Sequence, residues 1–208
     1  MNAPSHQDEI AAVGIGMPYQ GGFFAGKINI GGHTYALIVA PKDEGERTDV
    51  QYNADYENEI TGAKSFNDGL INTNAMADAG SDLAKWARGL QIGGFDDWYI
   101  PSQEELEVIY RNLKPTTEEN SLYNRSGINP SAVPPTHPYT ESEPAHTFAT
   151  AFQDDGAEAF ADTWYWTSTQ HAAHSDSAWC QSFSYGSQSN FSKDFQLRAR
   201  AVRRLVIQ

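Results

Sequence analysis

Residues 94–106 read Gly94-Phe95-Asp96-Asp97-Trp98-Tyr99-Ile100-Pro101-Ser102-Gln103-Glu104-Glu105-Leu106. Ser102 followed three residues later by Glu105 is a capping box. The serine hydroxyl accepts from a backbone N–H in the first turn, and the glutamate reaches back to the serine's own N–H. The helix it opens carries Leu106, Ile109, Tyr110 and Leu113 at three- and four-residue steps, one apolar stripe. Pro115 stops it. Glu104, Glu105 and Glu107 read as a solvated face favoured by the helix dipole rather than as a glycosidase cluster.

Upstream, Met76, Leu83, Trp86, Ala87 and Leu90 fall near one face and predict a single further helix, closed by Gly89 and the Gly93-Gly94 pair. Two β-leaning runs, Phe23–Ile30 and His33–Ala40, flank Gly31-Gly32 and predict a hairpin that Pro41 ends. Residues 42–70 are polar and irregular. Residues 1–20 read as an arm or loop, leaving 21–208 as one domain. Downstream, residues 114–162 form a long proline-bearing connection that packs irregularly on the domain. Trp164-Tyr165-Trp166-Thr167-Ser168-Thr169 is a strand, and the alternation from Leu197 to Ile207 suits one final strand. The fold class is α+β: two helices on a small twisted antiparallel sheet with long irregular connections. No repeat of solenoid length is present.

Composition bounds the chemistry. The 208 residues are 39% hydrophobic and 12% aromatic, enough to bury a core. A lone cysteine, Cys180, rules out an internal disulfide framework and Cys-rich metal modules. No apolar run approaches a membrane span. The first ten residues are polar and acidic, so no signal peptide is expected. A net charge of −13 argues against nucleic acid and anionic membranes as partners. The late cluster Lys193, Arg198, Arg200, Arg203 and Arg204 reads as a basic strand paired with acidic neighbours of the same fold.

Residues 167–196 differ from the rest. They contain no Leu, Ile, Val or Met, hold half of the chain's serines, and interleave them with Trp179, Phe183, Tyr185, Phe191 and Phe195. Small polar residues among aromatic anchors are the composition of a paratope: the aromatics supply rigid contact area, the small residues adaptable hydrogen bonds. A surface meander with small residues facing water has the same composition. Alternation over 179–183 places Trp179, Gln181 and Phe183 on one packed face and leaves Cys180 and Ser182 on a free one. Gly186 permits a tight turn.

Three stretches carry a family resemblance: Gly94–Leu106, Trp164-Tyr165-Trp166-Thr167-Ser168-Thr169-Gln170, and Arg198-Ala199-Arg200-Ala201-Val202-Arg203-Arg204. Together they resemble C-type lectin-like domains of the variant shared with formylglycine-generating enzyme. The tail is most similar to the variable proteins of diversity-generating retroelements, including phage tropism determinants. Gly21–Lys27 and Tyr35–Pro41 also look like phage-borne members, while the middle of the chain is unmatched.

The resemblance implies a binding protein rather than an enzyme, without cofactor or metal, whose region 164–205 is rewritten by an error-prone reverse transcriptase acting at template adenines. Asparagine codons then become codons ending in a pyrimidine, which cannot encode Trp, Met, Gln, Lys or Glu. The positions it marks as variable and ligand-binding are His171, His174, Asp176, Cys180, Ser182, Ser184, Tyr185, Ser187, Ser189, Asn190, Phe191, Ser192, Asp194 and Phe195. Gln170, Gln181, Gln188, Lys193 and Gln196 stand between them as fixed positions, with Trp164, Trp166, Trp179 and Phe183 as anchors. The implied partner is a protein or glycan on a host cell, and the implied place a phage tail or the cytoplasm. A homotrimer would raise avidity.

Rival readings are weaker. Formylglycine-type catalysis relies on a cysteine pair, and this chain has Cys180 alone. His171, His174, Asp176 and Cys180 are ligand-like in type but match no closed zinc spacing. There is no Gly-x-Ser-x-Gly elbow and no phosphate-binding loop. Asn129-Pro130 and Glu143-Pro144 sit in the irregular middle, and nothing places them at a sugar site. The main alternative is a lectin-like adhesion or structural domain with a constant surface.

Overall fold

The computed structural model describes residues 6–123 and 127–207. Gly31 and Gly32, at φ +60 and +87, make the tight reversal between β2 (Gly22–Ile30) and β3 (His33–Val39). β1 (Pro18–Tyr19) pairs with β2, and β9 (Val202–Val206) pairs with β3, giving an antiparallel sheet in the order β1-β2-β3-β9. A second sheet runs β4-β8-β5-β6-β7, built from Glu46–Val50, Leu197–Arg200, Trp164–Gln170, Ser177–Ser182 and Gln188–Ser192 respectively. The helices are α1 (His6–Ala12), α2 (Lys42–Gly45), α3 (Gly69–Asp78), α4 (Asp82–Arg88) and α5 (Gln103–Leu113).

The mixed α+β class stands, with more elements than the sequence patterns predict. There are two sheets rather than one, and β5 and β8 are parallel where they meet at Tyr165 and Arg198. The expected final strand is two strands in different sheets. Between them the buried Ala201 donates its N–H to Gly45 O at 2.8 Å and accepts from Ala40 N at 3.0 Å, so the chain changes partners there. The expected helix over residues 76–90 is also two. Gly80 adopts φ +99 and Ser81 caps α4, accepting from Ala84 N at 3.3 Å. Met76, Leu83 and Ala87 still share one buried cluster, because the break turns the chain without changing the layer it packs on. Residues 9–20 are not a free arm: Ile10 is 2% exposed in a core cluster, and β1 extends the first sheet.

The capping box is present as predicted, and α5 packs against both sheets. Leu106, Ile109, Tyr110 and Leu113 are all buried, together with Tyr99, Phe152, Phe160, Tyr165 and Phe183. At β2 the approach is close enough that a Cβ on Gly26, which sits at φ +136, would come within 2.6 Å of Val108.

The acidic face of α5 is a correction. Glu104, Glu105 and Glu107 are 8%, 0% and 2% exposed, because both sheets and the 127–139 segment enclose the helix. Glu105 accepts from Ser102 N at 2.7 Å, from Gly69 N at 3.0 Å and from Tyr99 OH at 2.7 Å, and Arg204 stands 3.9 Å away. Glu107 accepts from Arg111 Nε, Tyr139 OH and Asn129 Nδ2 at 3.0, 3.0 and 2.7 Å. Burying a carboxylate is tolerable where its lone pairs are filled in this way.

The late arginines are paired internally, as the sequence suggests. Arg203 makes two bonds to Asp97 at 2.6 and 3.0 Å, and Arg204 two to Asp68 at 2.8 and 3.2 Å. Arg198 reaches Glu46 at 2.8 Å, and Arg200, 2% exposed, pairs with Glu158.

Removing the Glu105 carboxylate leaves two buried backbone donors and one hydroxyl unpaired. Glu105→Ala is predicted to destabilise the protein by about 3 kcal/mol or more, against about 1 kcal/mol for Ser102→Ala, which loses only the cap. Urea denaturation of the three proteins measures both; equal losses would contradict the special role of Glu105.

Candidate functional site

The three strands β5, β6 and β7 form a meander that holds the segment singled out above. Its register pairs Trp166 with Cys180, Cys180 with Ser189, and Ala178 with Phe191. Side chains alternate along a strand, so Trp166, Ala178, Cys180, Ser189 and Phe191 share one face. Tyr165, Trp179, Gln181, Gln188 and Asn190 share the other. β7 lies at the sheet edge; Gln188 at its start is buried against α5, and the rest of the strand is half-buried.

The candidate residues divide by burial. His174, Asp176, Tyr185, Asp194 and Phe195 are exposed, and His171, Ser184, Ser189, Asn190, Phe191 and Ser192 are half-buried. Cys180, Ser182 and Ser187 are not surface residues, at 0%, 1% and 8% exposure. For Cys180 and Ser182 the alternation held but its "free" face did not: both are buried, and Cys180 packs in one cluster with Tyr52, Met76 of α3 and Leu83 of α4. Cys180 donates its thiol to Ser189 O at 3.3 Å, and burial pushes the thiol's pKa up, away from reactivity. It lies inside the core, so it does not join His171, His174 and Asp176. Among the described residues no three His, Cys, Asp or Glu side chains form a metal-holding group.

Four of the five positions read as fixed are built into the scaffold. Gln170 Oε1 accepts from Ile60 N at 2.8 Å and from Lys193 Nζ at 2.7 Å. Lys193 also donates to Asn58 O at 2.7 Å, and burial lowers its pKa to about 8. Gln188 and Gln103 exchange two bonds, 3.0 and 3.1 Å long, which tie β7 to the start of α5. Gln181 donates to Gly186 O at 2.5 Å and so holds the β6–β7 turn. Gln196 is exposed. Trp166 and Phe183 are buried anchors, while Trp164 and Trp179 are half-buried.

On the meander, two aromatic groups reach the surface. On one face Trp164 meets Tyr185 and Phe191 edge-on at 6.4 and 5.4 Å between ring centroids, and Phe191 stacks on Phe195 at 5.4 Å. Such a row offers rigid contact area at low entropy cost. At the β5–β6 loop, His171 stacks on Trp179 at 5.2 Å and stands 4.7 Å from the His174 ring. Trp164 belongs to the row although the sequence pattern marks it only as an anchor; its position at the first residue of β5, beside the turn, is what brings it out.

A cavity of about 660 Å³ opens elsewhere, between β2, α5 and the proline-rich stretch 132–138. None of its walls comes from residues 164–205. Among the described residues no helix is long and apolar enough to cross a membrane.

His171 gives the β5–β6 loop a pH dependence. Its Nδ1 accepts from Ala173 N at 3.2 Å and from His174 N at 3.1 Å. Burial, and then the neighbouring His174, hold its pKa below the usual histidine value, with Asp176 opposing. The folded loop therefore resists a proton that the unfolded chain takes up, and stability falls as pH drops below about 6.5. His171→Asn keeps an acceptor for the same amides without titrating. Between pH 7.5 and 5.5 the urea midpoint is predicted to fall further in the wild type than in this variant; parallel curves would refute the assignment.

A search of curated proteins finds no match to this chain. The family model described as Lcl C-terminal domain matches residues 48–203, from β4 through the meander to the start of β9. Most of the chain, including every candidate position, lies within that match, and the chain belongs to the Lcl C-terminal domain family.

Proposed function

We propose that this chain is a ligand-binding domain rather than an enzyme. In this reading it has a C-type lectin-like fold, and the surface of its last third is diversified by a retroelement to recognise receptors. The observation that carries the reading is the partition within the meander. Gln170, Gln181, Gln188 and Lys193, which adenine-directed mutagenesis cannot create, are buried and bonded into the scaffold. The candidate positions are exposed or half-buried, apart from Cys180, Ser182 and Ser187. A scaffold held by its own fixed side chains tolerates exchange at exposed positions, where substitutions usually cost within about 0.5 kcal/mol. The family match supports a tropism-determinant-like binding domain. A phage tail or other host-recognition component, meeting a protein or glycan on the host surface, fits the reading.

A constant lectin-like adhesion surface is the second reading. The burial of Cys180, Ser182 and Ser187 favours it, because random exchange in a packed core costs far more than on a surface.

Deep sequencing of the 3′ end of the gene across a population separates the two. Diversification predicts a nearby near-copy and codon variation at surface positions such as Tyr185, Asn190 and Phe195. It predicts none at Gln170, Gln181, Gln188 and Lys193, and little at Cys180, Ser182 and Ser187. A uniform tail would leave the constant surface. Under either reading, alanine at Tyr185, Phe191 or Phe195 is predicted to weaken binding by at least about 1 kcal/mol, measured by calorimetry with the bound partner.

A further inference from the structure

The aromatic row ends against a part of the chain that lies outside the variable region. The segment 116–121 is pinned to the β6–β7 turn: Thr116 Oγ1 donates to Ser184 O at 2.9 Å, and Ser121 N donates to Tyr185 O at 2.7 Å. Tyr185, 41% exposed, forms one wall of an open cleft of about 520 Å³ whose remaining walls are residues 117–121. Glu118 and Glu119 stand in that cleft, both exposed. Glu141 stands beside it, since Asn120 donates its backbone N–H to Glu141 O at 2.9 Å. Among the described residues none of these three carboxylates has a hydrogen-bond or salt-bridge partner.

Two described cations, Lys114 and Lys193, are turned inward. Lys114, 2% exposed, gives its ammonium to the backbone carbonyls of Glu118 and Pro144. Lys193, at 0%, gives its own to Asn58 and Gln170. The charges that Asp176 and Asp194 add to the meander's surface are negative too. A partner docking on the aromatic row therefore meets carboxylates beside π-faces, with no exposed described lysine or arginine from 164–196 among them.

We propose that the partner of this face is a protein surface bearing an arginine- or lysine-rich patch, which seats a cationic side chain on Tyr185 between Glu118 and Glu119. The proposal rests on the ligand-binding reading above and adds the chemistry of the ligand. Guanidinium and ammonium groups are drawn to aromatic faces and to unpaired carboxylates alike. Anionic glycans are disfavoured by the same charges. Because Glu118, Glu119 and Glu141 lie outside 164–205, exchange at the variable positions leaves this rim acidic. It biases every version of the surface toward cationic partners.

The test uses the full chain and a fluorescent hexa-arginine peptide, with hexa-glutamate as the control, read by anisotropy at increasing salt. Saturable hexa-arginine binding is expected, falling with salt, and none for hexa-glutamate. Glu118→Gln with Glu119→Gln should weaken it about five- to tenfold, and Tyr185→Ala by a similar factor. Asp43→Asn with Glu44→Gln removes the same charge from exposed positions on α2, near the opposite edge of the second sheet. That pair should leave binding unchanged. Equal weakening by the two charge-removing pairs would mean general attraction to an acidic protein and would overturn the proposal. So would the absence of binding, or insensitivity to Tyr185→Ala. Any of these results beside a variable 3′ end would remove the cationic partner and leave the diversified face standing.

Discussion

The carboxylate of Glu105 is the point on which the architecture turns. It accepts from the cap of its own helix, from the first residue of α3, and from Tyr99, which bridges to β9 at Val202. Arg204 of β9 stands beside it and clamps Asp68, the cap of α3. Two helix starts and one strand thus converge on a single buried carboxyl group. Gly69 follows from this geometry, because a side chain there would press within 2.6 Å of Ile100 O and Ser102 N. Such a site is directional, which an apolar contact is not, and it sets how the two sheets lie about α5.

The meander inherits its position from that arrangement. α5 presents Gln103 to Gln188, and its Tyr110 ring packs edge-on against Phe183 at 5.5 Å. Phe183 in turn stacks on Phe160 at 4.0 Å. The turn that carries Tyr185 is therefore rooted in the central core, while the Tyr185 ring itself stays exposed. A binding surface that sits on rigid elements keeps its geometry when its side chains change. Long polar side chains lie inside beside apolar ones there: Gln170 and Lys193 fasten the meander to the irregular 51–64 segment, whose Tyr52, Ile60 and Ala63 pack in one cluster with Trp166 and Cys180.

The helix α5, its cap, its apolar stripe, the Gly-Gly hairpin and the strand at Trp164 were legible in the sequence. Each depends on residues within a few positions of one another, where backbone geometry and side-chain periodicity act locally. The pairing of the late arginines with acids was legible as a kind of interaction, though not as particular pairs. The break between α3 and α4 was written in Gly80-Ser81, but the apolar stripe that continues across it hid the signal. β4 was missed because its Glu46-Arg47-Thr48-Asp49-Val50 is polar, and it becomes a strand only by pairing with β8.

For the candidate surface, sequence by itself determined which segment is unusual and which residues alternate, and these follow from composition and from the period of a strand. That its glutamines and lysine are fixed positions is what the family resemblance implies. Tertiary structure alone decided which face of β6 is covered, and so moved Cys180, Ser182 and Ser187 inside. It also turned the three glutamates of α5 inward, and set Glu118 and Glu119 in a cleft beside Tyr185. Burial is settled by what packs across the chain from distant positions, and no local pattern encodes the identity of that neighbour.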